Sequence, residues 1–114
     1  MRWLVDAMNV IGSRPDGWWK DRPGAVRRLL DELARYRATT GDDVTVVVDG
    51  RPVAVPVESD LEVVFVPHAD GEIARRAGPG VRVVTSDREL AERARAEGAE
   101  VVGARGFRQL LDGA

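Results

Sequence analysis

Cysteine is absent from the 114-residue sequence and histidine occurs once, as His68, which excludes disulfides, zinc–thiolate sites and histidine-rich zinc sites. Any metal must be held by oxygen. Lysine is also scarce, Lys20 being the only one among 17 basic residues. No apolar run approaches the roughly 20 residues of a membrane span. Near the N-terminus a carboxylate, Asp6, follows only Trp3-Leu4-Val5, so the apolar core of a secretory signal is missing. The chain is therefore expected to be cytoplasmic, without a membrane partner. Its length suits one domain over residues 1–114, able to bury a core without covalent staples.

A formal net charge of −2 argues against bulk attraction to nucleic acid, but the charge is unevenly spread. Residues 14–37 hold seven basic and four acidic side chains, residues 42–72 one and eight, and residues 75–108 eight and five. An acidic middle between basic flanks suits a cation site with phosphate-binding rims; solvated helix faces would give the same pattern.

Short β-branched runs alternate with helical spacing along the chain. Trp3–Val5, Val44–Val48, Val63–Val66, Val81–Val84 and Val101–Val102 are continuous rather than alternating, as in strands of a parallel sheet buried on both faces. The class is α/β. Between the first two strands, Val26, Leu29, Leu30, Leu33 and Ala34 recur at helical spacing, opened by Asp21 and Pro23 and stopped before Gly41. A short helix is expected from about Asp70 to Ala77. Another is expected from a capping box at Ser86-Asp87-Arg88-Glu89 to about Gly98, with a final turn or two over Gly106–Leu111. Residues 50–61, with Pro52 and Pro56, read as a surface loop with room for an extended edge piece.

Three strands end on acids: Asp6, Asp49 and, after Thr85-Ser86, Asp87. The strand at Val63–Val66 is followed by His68-Ala69-Asp70, which brings a fourth carboxylate. C-terminal strand ends of a parallel sheet share one edge, where open α/β folds bind ligands, so these carboxylates converge. Their repulsion is relieved by raised pKa values or by a cation. Mg²⁺, or Mn²⁺ in its place, takes one or two carboxylates plus waters and phosphate, and phosphodiester hydrolysis is the reaction that fits best. Plainer readings exist for each acid but one. Ser86 and Asp87 could only cap a helix, Asp49 could end a strand before Gly50, and Asp70 could complement a helix dipole. Asp6 is harder to dismiss, because an unpaired carboxylate at the end of a central strand is costly.

The run Val5-Asp6-Ala7-Met8-Asn9-Val10-Ile11-Gly12 resembles the opening motif of NYN domains, specifically the YacP-like branch. The resemblance continues through Val47-Val48-Asp49, Val64-Phe65-Val66 with Ala69-Asp70, and Val84-Thr85-Ser86-Asp87. It implies a PIN-like, Rossmann-like three-layer α/β/α sandwich around a mostly parallel sheet of about five strands. It also implies a metal-dependent endoribonuclease acting on RNA, single-stranded or messenger, with the ribosome as a further partner. By the family pattern Asp6, Asp70 and Asp87 bind the metal, Asn9 orients a ligand or the substrate phosphate, and the Ser86 hydroxyl assists; Asp49 rests on strand-end geometry. The chain departs from the pattern at His68 and Gly71, where the family often has threonine and an acidic or small polar residue. Glu72 is a candidate replacement for the missing acid.

Arg14, Lys20, Arg22, Arg27 and Arg28 follow the first strand and are candidates to bind RNA, with Trp18 and Trp19 among them able to stack on bases. Tandem tryptophans more often pin a loop or form a dimer contact, and the sequence leaves monomer and homodimer open. His68 could touch a phosphate or, more commonly, sit exposed in a loop. A haloacid-dehalogenase-type phosphatase needs a second aspartate where Met8 stands, and a receiver domain needs paired acids near the first strand and a late lysine. The remaining alternative is a catalytically weak or inactive RNA-binding or protein-interaction module of the same fold, motivated by Gly71.

Overall fold

All five β-branched runs form strands in the structure, a computed structural model that describes residues 2–56 and 59–113. They are β1 (Arg2–Asp6), β2 (Asp43–Asp49), β3 (Glu62–Val66), β4 (Val81–Val84) and β5 (Glu100–Val102). Every pairing is parallel, in the order β3-β2-β1-β4-β5. β1 is central, as expected, and Trp3, Leu4 and Val5 on it are buried. The chain builds outward from β1 through β2 and β3, then jumps to the other side for β4 and β5. The C-terminal ends of β1 and β4 therefore flank the point where the winding reverses, where open α/β sheets leave a crevice.

Helices cover both faces. α1 (Ala7–Gly12), α2 (Arg22–Thr40) and α5 (Ala104–Gly113) pack on one side with Val5, Val46 and Val48. α3 (Ala69–Arg76) and α4 (Arg88–Ala96) pack on the other with Leu4, Val47 and Val83. This is the three-layer sandwich that the family resemblance implies.

α2 forms as its signals predict. Asp21 caps it by accepting from the Gly24 N–H at 3.1 Å, and Gly41 closes it with φ 75°. A Cβ at Gly24 would lie 2.3 Å from the capping carboxylate, so the cap requires glycine there. Its apolar stripe, Val26, Leu29, Leu30 and Leu33, is fully buried. α5 is anchored through Phe107, whose ring lies 5.0 Å from Trp3 of β1 and 5.9 Å from Tyr36 of α2. That aromatic trio ties three elements into one layer.

Several expectations need correction. α1 was not foreseen; it starts directly from the end of β1 with Asp6 at its N-cap position. α5 spans ten residues rather than a turn or two. Asp87, not Ser86, caps α4 by accepting from the Leu90 N–H at 2.9 Å, so no Ser-to-Glu capping box forms. The crossover from β2 to β3 is a loop among its described residues, as expected, and Val53 and Leu61 pack it against the α2 layer. No edge strand is present among its described residues, and Val57 and Glu58 lie outside them.

Candidate active site

Strand register sets the heights of the acids. Asp6 is level with Val47 of β2, while Val5 pairs with Val84, which places Thr85 beside Asp6. Asp49 stands two residues further along β2, roughly 7 Å at the usual rise of a strand. Asp87 opens α4 two residues after Thr85. Leu4 and Asp6 share a face of β1, as do Val47 and Asp49 on β2, by strand alternation. That face is the α3–α4 side, so the strand-end acids meet the N-termini of those helices.

The result is one open cleft of about 740 Å³ that Asp6, Asn9, Asp49, Asp70, Ser86 and Asp87 all line. Met8, Gly12, Ser13, Ala69, Gly103, Arg105 and Gly106 complete the lining. Asp6 forms its floor and is only 5% exposed, whereas Asp70, Ser86 and Asp87 are exposed at its rim.

Asp6 is held in place. Its Oδ2 accepts from Asn9 Nδ2 at 2.5 Å and from Thr85 Oγ1 at 3.0 Å, the second bond crossing from β4 to β1 at the switch point. Burial pushes its carboxyl above the ordinary value of 3.8, and the charge of Asp49 adds to the rise; the Thr85 and Asn9 bonds oppose it. Asn9 is thus engaged in orienting Asp6, one of the two tasks, orienting a ligand or the substrate phosphate, that the family pattern implied for it. Thr85 is a functional neighbour that the sequence reading left without a role. Its signal was available, since a hydroxyl one strand over and level with a buried acid has few other partners.

The other acids each accept one backbone N–H. Asp49 Oδ2 takes the Ala69 N–H at 3.1 Å and so caps α3 from across the sheet edge, while His68 at the N-cap position makes no capping bond. Asp70 Oδ1 accepts from Gly71 at 3.0 Å. Asp87 caps α4. Ser86 Oγ accepts from the Ala104 N–H at 3.0 Å, joining the end of β4 to the start of α5. Every carboxylate has a second oxygen, so capping and ion binding are compatible.

The basic and aromatic candidates lie elsewhere. Arg14 pairs with Asp112, and Arg14 and Arg28 border a separate small depression with Glu32 and Arg108. Lys20 and Arg27 are exposed, on the turn at residues 18–21 and on α2. Arg22 donates to the Asp49 carbonyl and so braces the end of β2. Trp18 packs on the core, and Trp19 is 61% exposed with its ring edge against Trp18. His68 is exposed and outside the cleft lining. α1 separates this whole segment from β1, which explains why nearness in sequence did not become nearness to the acids. Gly71 lines a different groove between α3 and α4, and Glu72 pairs with Arg75 and Arg76. Neither lines the cleft, so Glu72 does not replace an acid there.

Among the described residues, no three acids or histidines come close enough together to hold one ion by side chains alone. The donor set, all carboxylate and amide oxygen around an open cleft, fits a cation that keeps much of its water. Mg²⁺ binds in that way, through one or two carboxylates.

Fold and cleft together define a PIN-like, nuclease-type α/β domain. The family model for the YacP-like NYN domain matches residues 3–114, and the chain belongs to that family. The crystal structure of Rae1 (YacP) from Bacillus subtilis superposes with a TM-score of 0.77 at 27% identity, covering 99% of this chain and 74% of that one. A mutant of the same protein gives 0.81 at 26% identity, covering 98% and 75%. A UPF0178 protein from Rhodopseudomonas palustris (strain BisB18) is 41% identical over 82 residues, 68% of this chain and 52% of the relative. Another, from Vibrio atlanticus (strain LGP32), is 30% identical over 92 residues, 77% of this chain and 62% of the relative. The chain thus spans between half and two thirds of the length of these curated relatives. No helix among the described residues is long and apolar enough to cross a membrane.

Proposed function

We propose that the chain is an Mg²⁺- or Mn²⁺-dependent endoribonuclease of the cytoplasm that hydrolyses single-stranded RNA. Messenger RNA on the ribosome is the setting that the family resemblance implies. The observation that carries the reading is the convergence of Asp6, Asp49, Asp70 and Asp87 on one cleft at the switch point of a nuclease-type fold. Of the three acids in the family pattern, Asp6 would hold the ion directly, with Asp70 and Asp87 reaching it directly or through its waters. When bound, it lowers the pKa of a water and offsets the charge that builds on the attacked phosphate.

The chain's own groups have distinct tasks. Asn9 and Thr85 fix one oxygen of Asp6, so the carboxylate is oriented before substrate arrives. Burial raises its free energy when charged, which strengthens its demand for a cation. Asp49, Asp70 and Asp87 line the same cleft and supply acceptors for the waters that complete the shell. The exposed Ser86 hydroxyl stands beside Asp87 with its proton free to be donated, since its bond to Ala104 uses it only as acceptor. The departure at Gly71 does not favour an inactive module, because that position is outside the cleft lining.

Incubation of pure protein with labelled single-stranded RNA and Mg²⁺ or Mn²⁺ tests the reading. Wild type should cleave, and Asp6→Asn and Asp87→Asn should each lose roughly 100-fold or more. Equal, negligible cleavage by wild type and both variants, with RNA binding intact, would overturn it.

A further inference from the structure

Part of the cleft wall built by α1 and α5 has no task in hydrolysis. Gly103, Arg105 and Gly106 lie there, at the start of α5. Neither glycine has positive φ, so backbone conformation does not demand it. Packing does not demand it either: a Cβ would meet nothing within 4 Å at Gly103 and only Val102 at 4.0 Å at Gly106. Gly106 even sits inside a helix, where glycine is among the poorest formers. What these two positions share is the side chain they withhold from the cleft.

Arg105 stands between them. Among the described residues it is the one cationic side chain lining the cleft, and it has no ion-pair or hydrogen-bond partner. Some arginines are matched, as Arg76 is with Glu62 and Glu72, and Arg108 with Glu32, while others such as Arg27 and Arg35 are solvated without a partner among the described residues but lie away from the cleft. Four aspartates line the same cleft, yet Arg105 pairs with none of them. Its backbone is nonetheless well fixed. The preceding Ala104 N–H is held by Ser86, and Phe107 two residues on is locked into the aromatic trio. A cleft lined by four carboxylates repels a polyanion except where a cation offsets them, and a guanidinium is shaped to grip a phosphate by two parallel hydrogen bonds.

We propose that Arg105 is a substrate-positioning residue that grips a phosphate of the RNA strand neighbouring the one cleaved, while Gly103 and Gly106 leave the sugar-phosphate chain room against the α5 wall. The substrate class rests on the ribonuclease reading above. The test is binding of a short labelled single-stranded RNA, followed by fluorescence anisotropy across a salt series in an Asp6→Asn background that does not cut. Arg105→Ala should weaken binding roughly tenfold at low salt and reduce the slope of log affinity against log salt by about 0.7, one phosphate contact on a single strand. Arg105→Lys should restore the slope. Gly106→Gln should keep or raise the melting temperature yet weaken binding by a similar factor. Unchanged affinity and slope in Arg105→Ala, or no RNA binding by the background protein, overturns the grip, and full affinity in Gly106→Gln overturns the role of the glycines. Cleavage is scored separately with Asp6 intact. A protein that cuts RNA but binds it without Arg105 loses only this proposal, and one that binds through Arg105 but never cuts loses only the nuclease.

Discussion

Asp6 combines two properties that pull against each other: it is nearly buried, and its carboxyl is held above the ordinary value chiefly by that burial. A folded-state pKa above the unfolded one means that the folded protein binds the proton more tightly. Stability therefore falls as pH rises from about 3.8 through the raised value. Asp6→Asn removes the penalty and keeps one oxygen to accept from Thr85 and Asn9. In EDTA at pH 7 the variant should unfold at a higher urea concentration than wild type, while cutting no RNA. The difference should shrink as pH falls toward 4. A variant less stable than wild type at pH 7 would show that the Thr85 and Asn9 bonds to the charged form outweigh burial.

At the scale of elements, the strands were legible because β-branched runs survive burial on both faces, and α2 was legible because cap, stripe and terminator agree. α1 was hidden because it is short and starts without a loop from a strand-end acid. α5 was under-read for a different reason. Its buried positions Ala104, Phe107, Arg108 and Leu111 follow helical spacing, but Arg108 looks like a solvated residue until its pairing with Glu32 at 2.7 Å is known. The acids were legible because strand ends of a parallel sheet must share an edge; Arg105 and Thr85 were not, because their importance depends on which element lies beside which. Ser86 is where this can be tested. Ser86→Ala removes the acceptor for the Ala104 N–H and should cost about 1 kcal/mol, a few degrees of melting temperature. It should also lower RNA affinity, because the start of α5 carries Arg105. Loss of stability with RNA affinity unchanged would separate that helix end from substrate binding.

For the molecule as a whole, the acidic middle and basic flanks of the sequence do not become two opposed surfaces. Several arginines are spent in exposed ion pairs worth little each, such as Arg82 with Glu100 at 2.8 Å, and four aspartates gather at the C-terminal end of the sheet. On the proposed reading, the charge that matters for stability is local to the cleft, where binding of a cation would be linked to folding. Mg²⁺ or Mn²⁺ at ten times its dissociation constant should stabilise the protein by about 1.4 kcal/mol, read as a rise of several degrees in a thermal melt. Asp70→Asn should reduce that rise. No metal-dependent rise in wild type would mean that the carboxylates relieve their repulsion in another way.

The most direct measurement is the anomalous scattering of Mn²⁺ soaked into crystals of the wild-type protein. One peak within coordinating reach of Asp6, with Asp70 or Asp87 contacting it directly or through water, is the predicted result. A cleft without density at millimolar Mn²⁺, or Mn²⁺ bound only elsewhere on the surface, would contradict the assignment of these acids to a cation-dependent nuclease centre.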